Sequence, residues 1–156
     1  MSKAVKTAKK KAGKKFSEGK SETGIKYSDK SIGQPELVPI YEELKKLLLP
    51  YEKGHLKAMQ AAGQYHLISN KEVEIAGRKR NDIYFASLLV QKGYIGFYYI
   101  PVYANPEIKK DLKPELLKCL KGKSCFHIKK LDDELRTQIK DALKVGHSCY
   151  EKRGWL

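Results

Sequence analysis

The chain has 156 residues, 41% of them hydrophobic, which suits one domain with a real core plus an additional segment. A net charge of +14 points to acidic partners: nucleic acid, an anionic membrane surface or an acidic protein. Three cysteines exclude a disulfide framework and fit a reducing, cytoplasmic setting, and no apolar run is long enough to span a membrane.

The charge is unevenly spread. Residues 1–30 carry ten lysines against three acids, so half of the excess lies in the first fifth of the chain. Residues 1–33 hold few large apolar side chains and cannot bury enough surface to offset their ordering entropy. They are expected to form a disordered tail outside a domain of residues 34–156. Lys9, Lys10, Lys11, Lys14 and Lys15 could contact phosphates there without reading sequence; a merely solubilising extension is the commoner use of such a composition.

Gln34 to Leu49 is expected to be the first helix. Leu37, Ile40, Tyr41, Leu44, Leu47 and Leu48 form one apolar stripe, Pro35 and Pro39 sit at its start, and Pro50 ends it. Lys57 to Ile68 reads as two short strands around Gly63, and Lys71 to Ala76 as a half-buried strand, followed by a basic turn over Gly77 to Asp82. The most β-prone stretch follows. Strands over about Asp82–Gln91 and Tyr94–Ile100, joined at Lys92-Gly93, make a hairpin at the centre of an antiparallel sheet.

Along the first of these strands both alternating sets are apolar. Phe85 and Leu88 are therefore expected on opposite faces, with the far face covered by twist, pocket or partner. Pro101 breaks the second strand, and short helical turns start near Pro106 and Pro114. Gly122-Lys123-Ser124 is a turn, Cys125 to Ile128 a last strand, and Asp132 to Lys152 a closing helix with Leu135, Ile139, Ala142, Leu143, Gly146 and Tyr150 as its buried stripe. Strands clustered between helices predict an α+β fold, an antiparallel sheet backed by helices.

The order Phe85-Ala86-Ser87, Gln91-Lys92-Gly93-Tyr94-Ile95-Gly96-Phe97-Tyr98, Pro101-Val102-Tyr103, Leu116-Leu117-Lys118 and Gly122-Lys123-Ser124-Cys125-Phe126, followed by an amphipathic helix, resembles the YdhG-like family of small bacterial proteins of unknown function. The likeness covers about residues 35–156. It implies a frataxin-like sandwich, with five to six strands and the N- and C-terminal helices packed on one face. One family member resembles frataxin in role, as an iron chaperone. Such iron binding would draw on carboxylates of the first helix, here Glu36, Glu42 and Glu43, beside which Lys45 and Lys46 place opposing charge.

No catalytic signature is present. Gly122-Lys123-Ser124 lacks the earlier glycine and the following helix of a phosphate-binding loop. Asp82, Asp111, Asp132, His55 and His66 are isolated acids and bases. Cys125 and His127 share a strand face, but His147 and Cys149 diverge by about 200° on a helix, so the four do not make a zinc set.

The aromatic group Tyr84, Tyr94, Phe97, Tyr98, Tyr99 and Tyr103 is the candidate ligand surface, with core packing as the plain alternative. Arg78, Lys79 and Arg80 beside it could serve nucleic acid. The expected role is a non-enzymatic binding or accessory module for a small ligand or protein partner. It would use no cofactor and no metal. Iron chaperoning and weak, non-specific nucleic-acid binding are the alternatives.

Overall fold

The computed structural model describes residues 18–20 and 26–156. The architecture is α+β. Six antiparallel strands form the main sheet: β3 (Leu56–Ala61), β4 (Gln64–Ser69), β7 (Ile83–Gln91), β8 (Tyr94–Tyr99), β9 (Leu120–Lys121) and β10 (Cys125–Ile128). Their spatial order is β3-β4-β7-β8-β10-β9, so the expected hairpin occupies the middle. Two small ladders accompany it, β1 (Glu18–Lys20) with β2 (Lys26–Ser28), and β5 (Val73–Ile75) with β6 (Arg78–Arg80).

Helix α1 (Leu37–Leu48) and helix α4 (Asp133–Lys152) pack on the sheet and on each other. Leu37, Tyr41, Leu44 and Leu48 are the buried stripe of α1. The expected stripe of α4 is buried in full, joined by Gln138, whose side-chain oxygen accepts from Leu116 N–H at 2.9 Å. Asp132 caps α4 by accepting from Leu135 N–H at 2.8 Å, which gives that carboxylate a structural role. The short helices α2 (Ile100–Ala104) and α3 (Pro114–Leu117) lie between β8 and β9, each with proline in its first turn.

Contacts with the helices identify the sheet's packed face. Tyr65 of β4 lies under Lys45 of α1, and Tyr99 of β8 donates its hydroxyl proton to the Ala142 carbonyl of α4. Leu88 sits opposite Tyr65 on one side and Phe97 on the other, so it shares this face. Phe85 does too, because its ring meets Tyr51 and, on α4, Tyr150.

That overturns the expectation of opposite faces. The ladder between β4 and β7 slips: Leu67 pairs with Ala86 but Ile68 with Tyr84, leaving Phe85 as an extra residue. A β-bulge of this kind resets the alternation, so residues on either side of it enter the same core.

Two further expectations change. Arg78 to Arg80 is a strand and not a turn, because Ala76 and Gly77, both at positive φ, make the reversal and leave the three basic residues free to pair with β5. The expected tail boundary also moves. Residues 1–17 and 21–25 lie outside the described residues. Of the remainder, 18–20 and 26–28 form the first ladder, and Asp29 to Gly33 is a turn against the domain. Asp29 accepts from Ser31 N–H at 2.9 Å, and Lys30 Nζ donates to Gln91 Oε1 at 2.8 Å. Local hydrogen bonding orders this turn where hydrophobicity alone predicts none. Among the described residues no helix is long and apolar enough to cross a membrane.

Candidate ligand-binding face

Alternation fixes what the sheet's other face carries. From one edge to the other its strand positions are Lys57, Met59 and Ala61 of β3; Gln64, His66 and Ile68 of β4; Tyr84, Ser87, Leu89 and Gln91 of β7; Tyr94, Gly96 and Tyr98 of β8; Cys125 and His127 of β10; and Lys121 of β9. None of these is a carboxylate, and lysines stand on both outer strands. Most are only partly buried, and Tyr84 is 37% exposed.

At the β3 side this face opens into a cleft of about 430 Å³. Met59, Ile68 and Tyr84 supply its apolar lining, and Lys57, Asn70, Asn81 and Asp82 supply polar groups. Asp82 is already engaged by Arg80 at 3.2 Å. The volume falls in the range of small-molecule sites, and the lining is about half apolar and half polar.

Behind Tyr84 lies a fixed polar chain. His66 Nδ1 is 2.8 Å from Ser87 Oγ, and its Nε2 is 3.0 Å from Gln64 Oε1. A carboxamide oxygen only accepts, so Nε2 carries the proton and Nδ1 accepts from the serine hydroxyl. Burial holds the His66 pKa below its usual value, so the imidazole is neutral at pH 7. The connectivity is that of a base beside a hydroxyl nucleophile, but Ser87 is only 4% exposed and its hydroxyl is shut away from substrate. The chain's effect is to orient His66, whose ring meets Tyr84 edge-on at 5.9 Å.

Across the sheet, Tyr94 stacks on His127 with ring centres 3.8 Å apart and planes 13° from parallel. Gly96 pairs with His127, and the Tyr98 ring covers it. A Cβ at Gly96 would come within 2.9 Å of that ring. Burial, then Cys125, raises the Tyr98 hydroxyl to about pKa 12. Burial, then Lys121 and Lys129, lowers that of His127, so the stacked imidazole is neutral.

The structure therefore divides the aromatic group expected to bind ligand. Tyr84, Tyr94 and Tyr98 are on the open face. Phe97 and Tyr99 are fully buried on the helix side, because strand alternation turns them inward. Tyr103 is exposed on α2, away from both, with Lys123 over its ring at 5.7 Å. Arg78, Lys79 and Arg80 are exposed on the β5–β6 ladder, joined to the cleft through Asn81. Lys9, Lys10, Lys11, Lys14 and Lys15 lie outside the described residues.

His66, Ser87, Lys57 and Met59 are members of this face that sequence reading did not single out as such. The only available signal was their parity within the strands. Cys125 and His127 share the open face as expected, whereas His147 packs against Tyr51 and Phe85 on the helix side. The sheet separates the two pairs, and among the described residues no three His, Cys, Asp or Glu side chains are grouped to hold a metal ion.

Comparison with family models, with curated proteins and with solved structures finds no match to this chain.

Proposed function

We propose that this protein is a non-enzymatic binding module whose ligand surface is the open face of the six-stranded sheet. The observation that carries this reading is the cleft lined by Met59, Ile68 and Tyr84 together with polar groups, on a face that α1 and α4 leave uncovered. No strand position on the face is acidic, and Asp82 at the cleft is paired with Arg80, which sets the preference toward neutral or anionic ligands. Iron has little support there, since hard cations favour carboxylate oxygens and the carboxylate at the cleft, Asp82, is paired with Arg80. On α1, Glu43 is paired with Lys46 at 3.6 Å. Three free, half-buried cysteines are consistent with residence in a reducing, cytoplasmic compartment.

The test is an amide chemical-shift screen of the full chain against a set of aromatic heterocycle fragments. Binding should perturb Met59, Ile68 and Tyr84 together. Perturbations confined to α1 and α4, or none with any fragment, would overturn the assignment.

A further inference from the structure

The open face carries more than a cleft. Its stacked and exposed rings, Tyr84 and the Tyr94–His127 pair, lie between lysines at opposite edges of the sheet, Lys57 on β3 and Lys121 on β9. We propose that the ligand of this face is a single-stranded polynucleotide, its bases stacking on these rings and its phosphates passing between the two lysines. This rests on the open face being the binding surface.

Three observations select that ligand. The first is sign. Lysines stand at both edges, no strand position on the face is acidic, and the nearby Asp82 is neutralised by Arg80. A polyanion crosses such a face without repulsion, and release of its counterions favours binding.

The second is ring chemistry. Every base has a π-face, so aromatic stacking accepts any sequence. The neutral imidazole of His127 is held flat on Tyr94, and both residues are partly exposed on this face.

The third is extent. Five interstrand steps of about 4.8 Å separate β3 from β9, a span of roughly 24 Å. A mononucleotide cannot engage both edges, whereas a strand of a few nucleotides can. A duplex hides its base faces in its own stack and cannot use the rings at all.

The experiment measures anisotropy of labelled twelve-nucleotide single strands, RNA and DNA, and of a duplex of the same sequence, with the full chain over a salt series. Phosphate contacts by the lysine-rich residues 1–30 need no base faces, so the duplex reports any contribution they make. Tyr84→Leu and Tyr94→Leu keep apolar bulk and remove the rings, and thermal melting verifies that each variant is folded. Each should weaken single-strand binding about tenfold and leave duplex binding unchanged. Lys57→Gln with Lys121→Gln should reduce the slope of log K against log salt by about 1.4 on single strands.

Equal loss for duplex and single strand, or no loss in either tyrosine variant, would overturn the proposal. So would competition by polyglutamate as effective as that by the oligonucleotide, since the face would then read charge alone. If heterocycle fragments bind at Tyr84 while no oligonucleotide binds, the ligand class fails and the binding surface stands. If neither binds, both fail.

Discussion

Phe85 and Leu88 occupy the same core although three positions separate them on one strand. The bulge at Phe85 is the cause: one unpaired residue in β7 turns an odd spacing into a shared face. Phe85 reaches Tyr150 of α4 at 5.4 Å, and Leu88 lies between Tyr65 and Phe97. Both are fully buried. Phe85→Ala is expected to cost about 3–5 kcal/mol and Leu88→Ala about 2–5 kcal/mol, either of which threatens a domain of ordinary stability. Leu89, partly exposed on the open face, should cost less than either when truncated. Urea unfolding of the three variants ranks them, and a Leu89→Ala loss equal to that of Leu88→Ala would show that both faces are equally packed.

At Gly146, α4 packs closely against Tyr99 of the sheet and Pro101 of α2. A Cβ there would lie 2.5 Å from the Tyr99 hydroxyl and 2.7 Å from Pro101 Cγ. Gly146→Ala gains about 1 kcal/mol of helix propensity, but overpacking typically costs about 1–3 kcal/mol. The clash involves a buried hydroxyl that is bonded to Ala142, so the loss should prevail. Adding Tyr99→Phe removes the nearest obstructing atom. The double variant should therefore lose less than the two single losses added together, a coupling that a double-mutant cycle in urea measures directly.

The hairpin turn is held from outside. Gly93, at φ 88°, donates its N–H to Gln34 Oε1 at 2.6 Å, and Gln34 Nε2 donates to the Gln91 carbonyl at 3.0 Å. Gln34→Ala should cost about 1–2 kcal/mol, since each net hydrogen bond contributes about 1 kcal/mol. Gly93→Val should also destabilise, because a β-branched residue resists positive φ. Lys92→Ala should be close to neutral. Removal of residues 1–33 should lower the melting midpoint more than removal of 1–28, as it also takes away the Asp29–Gly33 turn and the Lys30–Gln91 bond. Identical midpoints for the two truncations would show that this turn contributes nothing.

His66 should make stability fall in acid. Burial depresses its pKa below the usual 6.5, so the unfolded chain takes the proton more readily than the folded one. Stability present at neutral pH is then lost as pH falls below 6.5 toward the folded value, with a limiting slope of about 1.4 kcal/mol per pH unit. His66→Gln removes this group, while His127, also depressed, remains in both proteins and cancels in the comparison. The stability advantage of the parent over His66→Gln should narrow between about pH 7.5 and about pH 5.5. A constant difference would show that the imidazole titrates alike in both states.

The sequence by itself determined the two long helices, the central hairpin and most of the chain order. The stripe of Leu37, Tyr41, Leu44 and Leu48, the hairpin closed at Gly93, and the stripe of α4 are periodic patterns set by local geometry, and the structure realises each of them. The positive φ of Gly93 was likewise implied by a two-residue turn.

What only the tertiary structure decided is which side of the sheet each strand residue joins. Period-2 alternation gives relative parity within a strand, and one unpaired residue reverses it beyond that point. The bulge at Phe85 arises from the register of β4 against β7, a long-range pairing that no local signal in β7 encodes. The candidate site depends on the same decision. Tyr84, Tyr94 and Tyr98 meet His66 and His127 on the open face, and Phe97 and Tyr99 go to the core. These residues look alike in sequence, and only strand order and register separate them.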